Sequence, residues 1–160
     1  MPLKVFVDSD VIISSLISSI GAAFLLLNQT DGLELYISNI SLKELGIVVE
    51  RLGLSEKELN NLIKKHFSIV QLKDPITTIK SKFTEYVLDI DDAHIVAGAQ
   101  EANAQFLISY NTKHFKADKL KEKFNIILTT PSSRGLGRQV LILATGVQIP
   151  VGSQTGSDPS

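Results

Sequence analysis

The sequence predicts an α/β protein, a three-layer α/β/α sandwich around a mostly parallel sheet, and three observations predict it. Short apolar runs rich in β-branched and aromatic residues recur along the chain: LKVFV, LYIS, IVQL, FLIS and NIILT. Segments of helical length, with apolar residues three and four apart, separate them. The first run, Leu3–Val7, is apolar apart from Lys4 and ends at an acid, as a strand covered on both faces does. Strands alternating with helices pair in parallel through helical crossovers.

Taken in order, Leu3–Val7 reads as a buried strand with Asp8 at its carboxyl end. Residues 11–18 and 22–29 read as two helices broken near Gly21. Together residues 11–30 carry no charge, which approaches the length of a membrane span. Ser14, Ser15, Ser18, Ser19 and Gly21 interrupt that stretch, however, and Asp8 and Asp10 precede it where a signal peptide would carry basic residues. Two buried helices and no membrane association are therefore expected. Residues 35–38 form a second strand candidate. Asn39 or Ser41 can cap the helix that carries Leu45, Val48, Val49 and Leu52. Ser55 with Glu58 fits a capping box for a helix with Leu59, Leu62, Ile63 and Phe67 on one face. Residues 69–72 suit a short strand, and Asp74 with Pro75 has the order of an N-cap and first helical residue. Asp91 or Asp92 opens a helix with Ile95, Val96 and Ala99 inward. Residues 106–109 and 125–129 supply the last two strands.

At 160 residues and 44% hydrophobic content, the chain has the size and core of one domain, placed at residues 1–131. Residues 132–160 differ, being rich in Gly, Ser, Thr and Gln. They read as an extension, a partner-binding arm or an expression-derived tail, with residues 140–142 and 147–151 suited to a hairpin. A net charge of −1 offers no global basic field for coating nucleic acid, so any RNA must be held by a local patch or through metal. The absence of cysteine excludes disulfides, thiolate zinc sites and cysteine nucleophiles. A cytoplasmic location is the simplest reading.

Three acidic segments lie far apart in the chain, each where a loop or helix start should follow an apolar run: VFVDSDV, SLKEL and DIDDAH. Carboxylates brought together by folding repel one another unless a cation neutralises them, and hard cations such as Mg²⁺ and Mn²⁺ want oxygen ligands. The pattern points toward phosphate chemistry. Blander roles exist for each residue. Asp10 can cap the helix after it, Glu44 can be a solvated helix residue, and Asp91 and Asp92 complement a helix dipole in any protein. His94 reads as a structural or surface histidine. His66 and His114 have no partner at zinc-site spacing. The lysine-rich run 113–123 is usually a solvated face, although Lys113 and Lys116 are placed to steer an RNA backbone.

Together these segments resemble the PIN domain, a family of metal-dependent ribonucleases that includes the VapC-type toxins of toxin–antitoxin pairs. VDSDVIISSL, GLELYIS with SLKEL behind it, and DIDDAHIVAGA followed by QFLISYNTKHF carry the resemblance, over roughly residues 4–131. The resemblance implies that Asp8, Glu44 and Asp92 are metal ligands and catalytic acids. Asn111 takes the fourth catalytic position, where many members have Asp, so one tightly held ion with a second recruited by substrate is expected. Ser109 supports the site from its strand end, and Asp10 and Asp91 are auxiliary. Mg²⁺ or Mn²⁺ would activate water for endonucleolytic RNA cleavage, leaving 5′-phosphate and 3′-hydroxyl ends. A homodimer and an inhibiting antitoxin are implied partners.

Two rival readings stay open on the sequence. DSDV after an apolar strand also resembles the DxD opening of haloacid-dehalogenase-type phosphatases, with Asp8 as nucleophile. The chain also fits a catalytically silent PIN-like module that binds RNA or protein.

Overall fold

In the computed structural model, which describes residues 2–28 and 31–132, β1 (Leu3–Val7), β2 (Leu33–Ser38), β3 (Phe67–Val70), β4 (Phe106–Ile108) and β5 (Ile127–Thr129) form one sheet. Every pairing is parallel and the strand order is β3-β2-β1-β4-β5. The central strand carries the register, with Val5 opposite both Leu35 and Phe106.

Helices α1 (Ser9–Ile17), α2 (Ala22–Asn28), α3 (Asn39–Arg51) and α4 (Glu56–His66) cover one face, while α5 (Ile76–Phe83), α6 (Ala93–Glu101) and α7 (Ala117–Phe124) cover the other. Alternation along β1 sorts its side chains between two cores. Leu3, Val5 and Val7 join Val11, Ile12, Leu45 and Leu59 on the first face, and Phe6 joins Ile95, Val96 and Leu120 on the second. Gly98 lets α6 lie directly on the sheet, because a Cβ there would stand 2.5 Å from the Phe6 ring.

Local chemistry shifts several expected boundaries. Ser38, not Asn39 or Ser41, caps α3: its Oγ accepts from the Ser41 N–H at 3.0 Å. Asn39 instead clamps the backbone of Leu72, accepting from its N–H at 2.8 Å and donating to its carbonyl at 3.3 Å. That clamp takes Leu72 out of the sheet, so β3 occupies residues 67–70 instead of 69–72. Pro75 is the N-cap of α5, and Asp74 pairs with Lys82 at 2.9 Å. Asn125 takes a left-handed φ of 57° that ends α7, which delays β5 to Ile127. Ser55 caps α4 as expected, accepting from Glu58 N–H at 3.1 Å.

The uncharged stretch is indeed two helices, α1 and α2, bent by 101°. No single helix among the described residues is long and apolar enough to cross a membrane, and Val11, Ile12, Ala23 and Leu27 of this pair are buried in the first core. The hairpin expected within residues 133–160 lies outside the described residues.

Candidate active site

In strand order 3-2-1-4-5 the chain departs from β1 in opposite directions on either side, and the crevice beyond the carboxyl ends of β1 and β4 is the switch point where such sheets bind ligands. Asp8 stands there. Its N–H extends the sheet by donating to Ile108 O at 2.9 Å, which fixes where its side chain emerges. Ser109, at the end of β4, is held by its own N–H donating to Thr129 O at 3.1 Å. From that position Ser109 Oγ donates to Asp8 Oδ2 at 2.8 Å, lies 3.4 Å from Asp10 Oδ2, and accepts from Asn111 N–H at 3.0 Å. Tyr110 N–H donates to Asp10 Oδ2 at 3.1 Å. One hydroxyl and one amide after β4 thus hold the two carboxylates that follow β1. The other oxygen of Asp10, Oδ1, is buried without a hydrogen-bond partner.

These bonds do not offset the charge. Burial pushes the Asp8 carboxyl up to about 7, with Asp10 and Asp92 adding to the shift and the Ser109 hydrogen bond opposing it. Burial raises Asp10 as well, against hydrogen bonds from Tyr110 and Ser109. Ionising both carboxyls here is therefore unfavourable without a positive partner.

The other two acids come from helix starts. Glu44 lies in the second turn of α3, its side chain 52% exposed, with Oε1 2.8 Å from His94 Nε2. Asp92 precedes α6 in helical conformation and makes no side-chain cap bond. Its Oδ2 lies 3.0 Å from His114 Nδ1. Burial raises Asp92, while the contact with His114 works the other way. Asp89 does the local capping instead, its Oδ1 accepting from Asp91 N–H at 3.0 Å at the start of a 3₁₀ turn over Ile90–Asp92.

The expected residues divide cleanly. Asp8, Asp10 and Ser109 share one hydrogen-bonded cluster, and Asp92 is near enough to raise the Asp8 carboxyl. Asp91 turns outward, its side chain 75% exposed and bonded to Lys80 at 2.8 Å, which holds its carboxyl below the usual range. Asn111 is exposed at the start of the 3₁₀ turn Thr112–His114, which carries Lys113, and Lys116 follows at the N-cap of α7. Among the described residues no three His, Asp or Glu side chains stand close enough to hold a metal ion together. Two of the acids, Glu44 and Asp92, are turned toward histidines.

The contacts those histidines make with the acids are what sequence reasoning missed, although His94 is the structural residue it allowed for. His94 falls in a helix whose residues 93–99 are all buried, so it had to face inward. The run of small residues AHIVAGA carried that signal. Nothing in the spacing of His114 announced that the turn after β4 would bring it to Asp92.

An all-parallel α/β sheet with acids gathered at its switch point defines a class of carboxylate-centred α/β proteins. The family model described as PIN domain matches residues 4–113, and the chain belongs to that family. No curated protein matches the sequence significantly. Among solved structures, a chain of VapBC2 from Rickettsia felis, bound to a DNA fragment from its promoter, is similar in fold. The two share 16% identity with a TM-score of 0.55, over 80% of this chain and 98% of that one. PAE2754 from Pyrobaculum aerophilum aligns over 90% of this chain and 98% of its own, at 17% identity and a TM-score of 0.47.

Proposed function

We propose that the protein is a divalent-metal-dependent endoribonuclease of the PIN family, the toxin of a toxin–antitoxin pair. The observation that carries the reading is the Asp8–Asp10–Ser109 cluster at the switch point, with Asp92 adding to its uncompensated charge. The donor set is all carboxylate oxygen, and the buried, unpartnered Oδ1 of Asp10 and the raised Asp8 carboxyl both fit a hard cation. Asp8, Glu44 and Asp92 are the residues that would hold Mg²⁺ or Mn²⁺. Bound there, such an ion would supply a more acidic water for in-line attack on phosphorus and positive charge against the departing oxygen.

The chain's own residues do the rest. Ser109 holds Asp8 at the end of β1, Asp10 adds a second carboxylate beside it, and the exposed Asn111, tied through its N–H to Ser109, takes the fourth position with an uncharged amide. Lys113 and Lys116 follow Asn111 closely in the chain, on the turn after β4 and at the N-cap of α7, and would draw in the RNA backbone. Family membership and the place of Asp8 at the switch point support the metal-associated roles given to Asp8, Glu44 and Asp92. The membership favours nuclease over phosphatase, and Asp91 points away from Asp8 toward Lys80, where a metal-dependent phosphatase would need it inward. A homodimer, an antitoxin that covers the acidic face, and a cytoplasmic setting complete the reading.

The test is incubation of the purified chain with a mixed RNA pool and Mn²⁺ or Mg²⁺, beside Asp8→Asn and an EDTA control, with the ends mapped. Cuts that need metal and vanish in the variant establish the nuclease. Metal binding without cuts marks a silent module. Phosphate trapped on Asp8 restores the phosphatase.

A further inference from the structure

Glu44 and His94 come from different helices, α3 and α6, and meet at 2.8 Å between Oε1 and Nε2. The two side chains are unlike: that of His94 is 4% exposed and that of Glu44 52%. A buried imidazole fixed by the packing of residues 93–99 is thus reaching toward a carboxylate at the surface. A proton on Nε2, in the neutral ring or in the imidazolium, is what makes this approach favourable, since a carboxylate oxygen only accepts. Nδ1 is buried with no hydrogen-bond partner. A buried polar atom left without a partner costs free energy. Leu at this position would avoid that cost and fill the same apolar helix. What the ring visibly does in exchange is hold Glu44.

We propose that His94 is a positioning residue for the metal site: it fixes Oε1 of Glu44 and so leaves Oε2 presented to the cation. The inference rests on the reading of Glu44 as a metal ligand. A glutamate free at 52% exposure samples many rotamers, and holding one of its oxygens removes much of the entropy that a cation would otherwise have to remove on binding. Asp8 is held in the same manner by Ser109 and Asp92 by His114, so each ligand candidate has one oxygen bound by the protein.

The experiment compares two polar replacements of similar bulk. In His94→Gln the amide nitrogen stands near where Nε2 was and can still donate to Glu44. In His94→Asn it stands near Nδ1 and falls short. Mn²⁺ affinity is measured by calorimetry on each variant, alone and in a Glu44→Gln background, with denaturant unfolding to confirm that both are folded. The expected result is that His94→Asn weakens Mn²⁺ binding by about 10–100-fold and that His94→Gln recovers most of it. In the Glu44→Gln background the two should bind alike. Equal Mn²⁺ affinity for folded Asn and Gln variants, or a difference between them that persists without Glu44, would overturn the proposal. RNA cleavage is assayed in parallel. Wild-type protein that binds Mn²⁺ but cuts nothing removes the nuclease reading while leaving the calorimetric comparison readable. Cleavage lost in Asp8→Asn, with both His94 variants binding Mn²⁺ like wild type, removes only the role of His94.

Discussion

The acids where β1 ends and α1 begins, a strand-end pair, and the acids on α3 and just before α6, a helix-start pair, solve the same problem differently. Asp8 and Asp10 are held by a hydroxyl and a backbone amide, neutral donors that fix geometry without supplying charge. Glu44 and Asp92 are held by histidine rings, which can supply charge as well as a hydrogen bond. The strand-end pair therefore bears most of the electrostatic cost, as the value of about 7 for Asp8 shows. Removing a carboxylate should affect stability according to which pair it belongs to, and activity regardless.

The largest effect is expected for Asp8→Asn. RNA cleavage should fall by more than about 100-fold, beyond the usual loss for a group that merely supports a ligand. Metal-free stability should rise at pH 8 by up to about 4 kcal/mol, the worth of a pKa change from 3.8 to about 7, less whatever the Ser109 hydrogen bond loses in the variant. Denaturant unfolding in EDTA checks the second claim. A destabilised Asp8→Asn would mean that the Ser109 bond outweighs the burial of charge, erasing the contrast with Glu44.

The same contrast has a pH signature. Asp8 binds its proton more tightly folded than unfolded, so its contribution is fully present below about pH 4, falls as pH rises toward 7, and is gone above that. Metal-free wild type should accordingly lose stability across this window, while Asp8→Asn should lose less. Unfolding free energies at pH 5 and pH 8, with and without saturating Mn²⁺, measure it. A bound cation should stabilise most at the higher pH, where the carboxylates are ionised.

For the helix-start pair the stability effects should be smaller. Asp92→Asn should raise metal-free stability by less than Asp8→Asn, because His114 already opposes the upward shift of Asp92. Glu44→Gln, with its side chain half in solvent, should change it by under about 1 kcal/mol. Both should abolish cleavage. If Glu44→Gln cleaves RNA normally, Glu44 is a solvated helix residue whose pairing with His94 has no catalytic meaning.

The fold was legible because strand ends and helix faces are written locally. Apolar runs separated by amphipathic segments fix the layers, and Asp8 had to emerge at the end of β1 once Leu3–Val7 was a central strand. The failures were at boundaries set by distant partners. Asn39 reads as a cap in sequence, yet its amide is engaged by Leu72, thirty-three residues away. Within the site, the link from Ser109 to Asp8 joins two strands far apart in the chain and was reached only through family resemblance. The histidine pairings were not reached at all, because residues 44 and 94 meet only when α3 and α6 pack. Asp91, auxiliary by resemblance alone, shows how little adjacency says about direction: successive residues in a helical turn point apart, and its side chain pairs with Lys80.

The smallest effect separates the site's charge from its surroundings. Lys113 and Lys116 follow Asn111 within five residues, on a turn tied to the body by Leu88 N–H donating to His114 O at 2.8 Å and Lys116 N–H donating to Tyr86 O at 2.9 Å. Neither lysine touches the carboxylates through a hydrogen bond or ion pair among the described residues. Their replacement by Ala should therefore leave Mn²⁺ affinity and metal-free stability unchanged. If they neutralise phosphates, it should raise KM for RNA several-fold and reduce the salt dependence of RNA binding by a slope of about 0.7 for each phosphate left without its lysine. Binding of a short single strand to the Asp8→Asn protein between roughly 50 and 200 mM salt measures the slope without turnover. A slope unchanged in the double variant would assign these lysines to the solvated face that their composition first suggested, and the RNA path would have to cross the acids from another side.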